Sequence, residues 1–418
     1  MKDRKRQKTE KAERNVETTA GSDKTMTRTL LKLVRAAQPI SRAELARRLG
    51  CNRSTVTGAV RPLIESGVLT ETSQLITRTV GRPPIGLRLY AEGSLLIGAN
   101  IGVRQTQVGI ARVDGTILRE EAFDTPNDPL KELNEISESI KQLRAHFAEH
   151  KIEAIGISVP GPVDPERRTL LYAPHLGWQD VEIAAALRFH PSRASKSLVP
   201  VIVENDATAA AMFEASRRLK DDKSGIWRDF ILVRAGTGIG IGVVRDGEIY
   251  RGVGASGNLA GEFGHMTIVA GGKLCVCGNR GCWERYASAT SAVALYLGDR
   301  APTSGPPPIR YAEIVRRAEA GEIRAQRTLE QTGEYLGIGI ANVISGLGID
   351  RVVVSGRIVL GWQFIREPLQ MAVRRALAGR LVDPIIEAGL VTGSGLGGAM
   401  EVAIDYYLTH VAEQTKSG

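Results

Sequence analysis

Apolar residues recur at helical spacing through the first seventy positions and change to strand-like runs beyond position 90. Between Thr27 and Ala37, Leu30, Leu31, Leu33 and Val34 mark one face of a first helix. Ser41 stands three residues before Glu44, a capping-box spacing, and opens a second helix with Leu45, Ala46 and Leu49 turned inward and Gly50 at its end. Asn52 is placed to cap a third helix whose inner face reads Thr55, Val56, Val60, Leu63 and Ile64. Three short helices with a glycine turn before the last are a helix-turn-helix pattern. After Gly67 the run Val-Leu-Thr-Glu-Thr and the later Ile85-Gly-Leu-Arg-Leu predict a hairpin wing, with Gly81-Arg82-Pro83-Pro84 at its tip. The third helix leaves Arg53, Ser54, Thr57, Gly58 and Arg61 outward. Short polar side chains and arginines in that position suit the edges of bases in a major groove, and Arg82 suits a narrow minor groove.

Past residue 90, Leu95–Ile101, Gln107–Val113 and Thr116–Phe123 predict a three-stranded meander. A helical stretch over 130–149 and a strand at Ala154–Val159 follow. Val201–Val203 leads into a helix over 206–217, Phe230–Val233 into a glycine-rich turn, and Arg351–Val354 into Ser355-Gly356. The last helical stretch is 395–409. The alternation gives an α/β body and, by itself, nothing narrower.

Charge sharpens the division. The chain carries a net +9, yet its first ninety residues hold nineteen Lys/Arg against eight Asp/Glu, leaving the remainder near neutral. A basic amino end on a near-neutral body points to nucleic acid rather than a membrane. Residues 1–25, rich in charge and poor in apolar positions, read as a basic flexible tail. No run approaches the length of a membrane span and no apolar signal core is present, so a cytoplasmic protein is expected.

The stretch 262–284, EFGHMTIVAGGKLCVCGNRGCWE, concentrates His265, Cys275, Cys277 and Cys282, three of the four cysteines of the chain. One imidazole and three thiolates form a tetrahedral Zn²⁺ set, and four protein ligands make such a site structural rather than catalytic. Glu-x-Gly-His followed by Cys-x-Cys-Gly-x-x-Gly-Cys-x-Glu also resembles the signature of the ROK family (repressors, open reading frames and sugar kinases). That resemblance implies a two-lobed, actin-like ATPase fold preceded by a winged helix-turn-helix. The division would be residues 26–90 for the DNA-binding domain and 91–418 for the body. Lobe one would be about 91–204 plus 395–418, and lobe two about 205–394.

Asn205 and Asp206 stand where a strand stops and a helix begins, a position that suits either side chains aimed into a cleft or a helix cap. The resemblance implies that Asn205, Asp206, Glu262, His265 and Glu284 hold a sugar, with Gly161 in Pro160-Gly161-Pro162 letting it approach backbone. In the sugar kinases of the family the residue matching Asp206 is the catalytic base. The turn those kinases use on ATP phosphates, Asp-x-Gly-Gly-Thr, reads Asn100-Ile101-Gly102-Val103-Arg104 here, which removes the metal-attracting carboxylate and adds a cation. The second glycine run, Gly236-Thr237-Gly238-Ile239-Gly240-Ile241-Gly242, fits an oxyanion cradle or two strands packed closely. The expectation is therefore a sugar-responsive DNA-binding regulator, a repressor, with operator DNA and a sugar as partners. It would act as a homodimer or dimer of dimers. The alternatives are an ATP-dependent sugar kinase carrying a DNA-binding module, and a constitutive DNA-binding protein with a vestigial pocket.

Overall fold

The computed structural model describes residues 25–73, 85–190, 195, 197–221, 226–252, 260–298, 308–378, 383–391 and 393–415. The basic-tail assignment, all but residue 25, and Arg82 lie outside these residues.

The amino-terminal module forms as its periodicity predicts. Helix α1 covers 25–37, β1 Ile40–Ser41, α2 Arg42–Leu49, α3 Arg53–Glu65, β2 Leu69–Thr72 and β3 Gly86–Leu89. Strand β3 pairs antiparallel with both β1 and β2, and Thr72 opposes Gly86 at the base of the wing. Leu30, Leu31, Val34, Leu45, Val56 and Leu63 are wholly buried between the helices and this small sheet. Ser41 Oγ accepts from the Glu44 N–H at 3.2 Å, and Gly50 closes α2 at φ 65°. Only half the capping box forms, because the Glu44 carboxylate instead takes hydrogen bonds from Arg47 and Arg48. Thr55, expected inside, is exposed: it lies beside Ser54 on the outer surface, and Val56 takes the core.

The body contains two five-stranded sheets of the same topology. In the first, β4 (Ser94–Ile101), β5 (Gln105–Arg112) and β6 (Ile117–Asp124) form a meander. Helix α4 (Pro129–Ala145) precedes β7 (Lys151–Val159), and a small pair, β8 (Leu170–Ala173) and β9 (Trp178–Val181), leads through the single turn α5 (Ile183–Ala186) to β10 (Val201–Asn205). Strands β7 and β10 extend the sheet in parallel, giving the order β10-β7-β4-β5-β6. Helix α6 (Asp206–Asp221) crosses to the second sheet. There β11 (Phe230–Ala235), β12 (Ile239–Arg245) and β13 (Glu248–Tyr250) make the matching meander. The chain then runs through α7 (Glu284–Ala287), α8 (Ala289–Leu297), α9 (Tyr311–Glu319) and the long α10 (Ile323–Leu347) to β14 (Arg351–Ser355). Helix α11 (Trp362–Leu377) and β15 (Ile385–Ala388) complete the order β13-β12-β11-β14-β15.

Helix α12 (Ser394–Gln414) returns to the first sheet, as expected, and is longer than its sequence pattern indicated. It lies across a row of glycines: Gly98 pairs with Gly109 on one side and Gly156 on the other. A Cβ on Gly156 would stand 2.2 Å from Ala399 O, so the helix backbone rests directly on the strand. The amino-terminal module is fastened to the same helix. Arg28 reaches Asp405 at 2.6 Å, Lys32 reaches Glu248 at 2.9 Å, and Arg35 grips Glu401 with both guanidinium ends while also donating to Ser216.

Candidate functional site

Between the two sheets lies a cleft of about 410 Å³. Gly161, Asn205, Asp206, Glu262, His265 and Glu284, the six residues expected to contact a sugar, all line it. Their individual roles differ more than the sequence suggested.

Asn205 caps α6. Its Oδ1 accepts from the N–H groups of Ala207 and Thr208, and its amide donates to Gly161 O at 3.1 Å. The side-chain oxygen is thus committed to the helix, and one amide hydrogen is left for a ligand. Gly161 is glycine for a reason other than ligand approach: a Cβ there would lie 2.1 Å from Tyr172 O. Asp206, at the first turn of α6, is ion-paired with Arg234 on β11.

Glu262 sits within a short 3₁₀ turn, Glu262–His265. Burial first, then the nearby charges of Asp206 and Glu284, push its pKa up to about 7. Glu284 opens α7 and is buried. Burial acts to raise its pKa, but hydrogen bonds from His175 and Cys275 and the charges of both histidines outweigh it and hold the carboxyl below its ordinary value. The carboxyl oxygens of Glu262 and Glu284 suit hydroxyl groups, which donate and accept at once.

The cysteine loop abuts this pocket. Among the described residues, His265, Cys275, Cys277 and Cys282 are the group able to hold a metal ion, their donor atoms all within 4.8 Å of one another. Cys277 Sγ stands 3.7 Å from Cys282 Sγ, and His265 Nδ1 stands 3.6 Å from Cys275 Sγ. A tetrahedron with metal–sulfur bonds near 2.3 Å has edges of about 3.8 Å, and these two separations match that length. Left-handed glycines at 271, 278 and 281 turn the loop, and Trp283 anchors it by donating to Tyr335 O at 2.9 Å. His265 joins the two centres: Nδ1 faces the sulfurs, and Nε2 faces Glu262 at 3.9 Å.

The glycine run 236–242 divides. Gly236, Thr237 and Gly238 turn between β11 and β12 on the cleft wall. Gly242 instead packs against α6, where a Cβ would meet the Ala211 Cβ at 2.4 Å, so this end is the closely packed strand rather than a cradle. Near the end of β4, Asn100 is buried and accepts from Ser158 Oγ at 2.8 Å.

Sequence reasoning missed two residues. His175 lines the cleft with Nε2 3.8 Å from Glu284, and no motif surrounds it. Arg234 reads in sequence as one more strand residue, and only the register of β11 turns it toward Asp206. On the other module, Arg53, Ser54, Thr57, Gly58 and Arg61 are all exposed along α3, as expected of a groove-reading face, although Arg61 is paired with Glu65 at 2.8 Å.

Two family models match the chain. The ROK family model matches residues 96–406, and a model described as winged helix-turn-helix DNA-binding matches residues 25–70. The chain is 28% identical to the xylose repressor of Bacillus subtilis over 91% of this chain and 94% of that one. A solved ROK family transcriptional regulator, described as a homologue of the Escherichia coli MLC protein, superposes with a TM-score of 0.72 at 24% identity. That match covers 96% of this chain and all of the other. A ROK glucokinase from Streptomyces griseus, solved with glucose and AMPPNP, matches a smaller share of the chain. Its TM-score is 0.59 at 29% identity, over 74% of this chain and 99% of that one. Among the described residues no helix is long and apolar enough to cross a membrane.

Proposed function

We propose, for a chain that belongs to the ROK family and carries a winged helix-turn-helix at its amino end, the function of a sugar-responsive transcriptional repressor. Residues 26–90 bind operator DNA through the exposed face of α3. The body, 91–418, binds a sugar between a lobe of about 91–204 plus 395–418 and a lobe of about 205–394. One observation carries this reading: α12 lines the cleft with its first turn and holds α1 of the DNA-binding module with Glu401 and Asp405. A ligand that prefers one arrangement of the cleft therefore acts on the helix that seats the reading head, the condition for shifting DNA affinity. Similarity to a xylose repressor along nearly the whole chain supports it.

Within the cleft, Asp206, Glu262, Glu284 and the free amide hydrogen of Asn205 receive hydroxyl groups. The His265, Cys275, Cys277 and Cys282 set holds a structural Zn²⁺, which would fix His265 and Glu284 at the pocket wall. The protein acts as a cytoplasmic homodimer or dimer of dimers, because one winged helix covers a small footprint and a two-fold operator calls for a two-fold protein.

A kinase is the second reading, favoured by the aspartate at the start of α6 and the glucokinase similarity. Against it, Asp206 is already engaged by Arg234, and position 100 offers an amide in place of a metal-binding carboxylate. Fluorescence-anisotropy titration onto DNA upstream of the protein's own gene, with a sugar panel and no ATP, separates the readings. The expected result is tight binding relieved by one sugar. Failure to bind DNA, together with ATP-dependent ADP release on a hexose, would transfer the assignment to the kinase. Asp206→Ala should abolish the sugar response and leave operator binding intact.

A further inference from the structure

Part of the cleft wall is cationic, and nothing in the sugar-pocket reading explains it. Arg104 on the β4–β5 turn, Arg234 on β11 and Arg357 after β14 all line the same cavity. Arg234 is committed on one side to Asp206, but its Nε is buried without a partner. Arg357 donates to Thr237 Oγ1 at 2.9 Å and forms no ion pair, and Arg104 forms none either, among the described residues. Burial, reinforced by the charges of Arg104, Arg234 and Arg310, depresses the pKa of Arg357. Gathering like charges in a half-buried cleft is unfavourable unless a counter-charge arrives. The first turn of α12 adds to it. Gly393, Ser394 and Gly395 face the cavity, and the N–H groups of a helix's first turn have no partners within the helix.

We propose that the cleft takes a phosphorylated sugar, its hydroxyls on the carboxylates of Asp206, Glu262 and Glu284 and its phosphate on Arg104, Arg234, Arg357, Thr237 and the amino end of α12. This deepens the sugar-responsive reading and rests on it. The ester fits better than a free sugar because a dianion neutralises the two unpaired guanidiniums, whereas a neutral ligand would close the cleft over them. It also fits better than a nucleotide triphosphate. Asp206 and Arg234 are in direct contact, so the anion site adjoins the sugar site at the distance of one substituent, and no carboxylate stands at position 100 to manage a metal ion.

The test uses the full-length protein and calorimetric titration with four kinds of probe: inorganic phosphate, a panel of free sugars, their phosphate monoesters, and ATP. Inorganic phosphate alone should bind, and Arg104→Ala and Arg357→Ala should each weaken it at least tenfold. Unliganded melting temperatures check that these variants fold. One phosphate monoester should bind at least tenfold tighter than both its parent sugar and inorganic phosphate. No phosphate binding, or variants that bind it as well as the wild type, would overturn the anion site. A free sugar that binds as tightly as its ester and releases the operator would overturn the phosphosugar while leaving the sugar-responsive repressor intact. ATP binding tighter than any ester would assign the cations to a nucleotide and remove the proposal. Operator binding that responds to no member of the panel would count against the repressor reading itself.

Discussion

Glu132 on α4 is fully buried, with Thr106 Oγ1 donating to its Oε1 at 2.5 Å and Oε2 without a partner. Burial, with a smaller push from Glu135, raises its pKa to about 7 against the hydrogen bond from Thr106. The folded chain therefore holds this proton more tightly than the unfolded chain. Its contribution to stability is complete below the unfolded value of 4.5 and is lost as pH rises through about 7. The wild type should lose on the order of 2 kcal/mol from this group between pH 5 and 8. Glu132→Gln, which mimics the protonated form, should remove that part of the slope in denaturant unfolding; identical slopes would place the titration elsewhere. Cys277→Ser deletes one corner of the metal set, so metal content by atomic absorption should fall from near one per chain to a small fraction. A wild-type protein that is folded and metal-free would sink the zinc assignment. Single residues also show where the sequence was readable. The His/Cys₃ set was, because its ligands are close in sequence and chemically distinctive. The double duty of Asn205 was not: an Asn at a strand–helix junction reads as cap or ligand alike, and here its oxygen caps while its amide faces Gly161.

At the scale of elements, periodicity located the helices of the amino-terminal module, the first meander, α4, β7, β10, α6, β11, β14 and α12, because the apolar faces that bury them recur at 3.6 or 2 residues. Helices α8 to α11 and strands β12, β13 and β15 were not read from the sequence. Close approach between elements was hidden. Gly98, Gly109 and Gly156 lie in separate strands and mean nothing singly in sequence; aligned by register they form the flat track on which α12 rests. Gly240 and Gly242, in a run that fitted either an oxyanion cradle or closely packed strands, perform the same service for α6. Gly156→Val tests this packing, since its Cβ would stand 2.2 Å from Ala399 O and neither backbone can yield cheaply. The variant should lose about 3 kcal/mol or more and show a lowered melting temperature. A melting temperature within a degree of the wild type would mean that α12 is not seated as described. The duplicated sheet topology, visible only in strand order, explains why the body presents matching turns, β4–β5 and β11–β12, and matching strand ends, those of β7 and β14, to one cleft.

For the whole molecule, the basic amino end was legible as a DNA-binding module, but its attachment was not, since Arg35 and its partner Glu401 are 366 residues apart. The junction spends three of that module's cations on the body: Arg28 and Lys32 meet Asp405 and Glu248, and Arg35 meets Glu401. Burial acts to raise the pKa of Asp405, but Lys32 and Arg28 outweigh it and hold it at about 2. Its contribution is therefore present above its ordinary value and lost only as pH falls through about 2, so the junction stays charged wherever the protein is assayed. Glu401 and Asp405 lie seven and eleven residues along α12 from Ser394, about 10 and 16 Å at 1.5 Å per residue. One helix thus spans cleft and junction, and a shift of its first turn on ligand closure reaches α1 without an intermediate. If that path carries the signal, Asp405→Asn should leave operator binding without effector within about threefold of the wild type, and should leave effector binding to the body unchanged. The factor by which effector weakens operator binding should fall at least fivefold, a coupling loss of about 1 kcal/mol. Anisotropy titrations with and without effector measure that factor directly. A ratio equal to that of the wild type, in a variant whose α1 remains docked by Arg35 and Glu401, would mean that the ligand's signal reaches the DNA by a route other than α12.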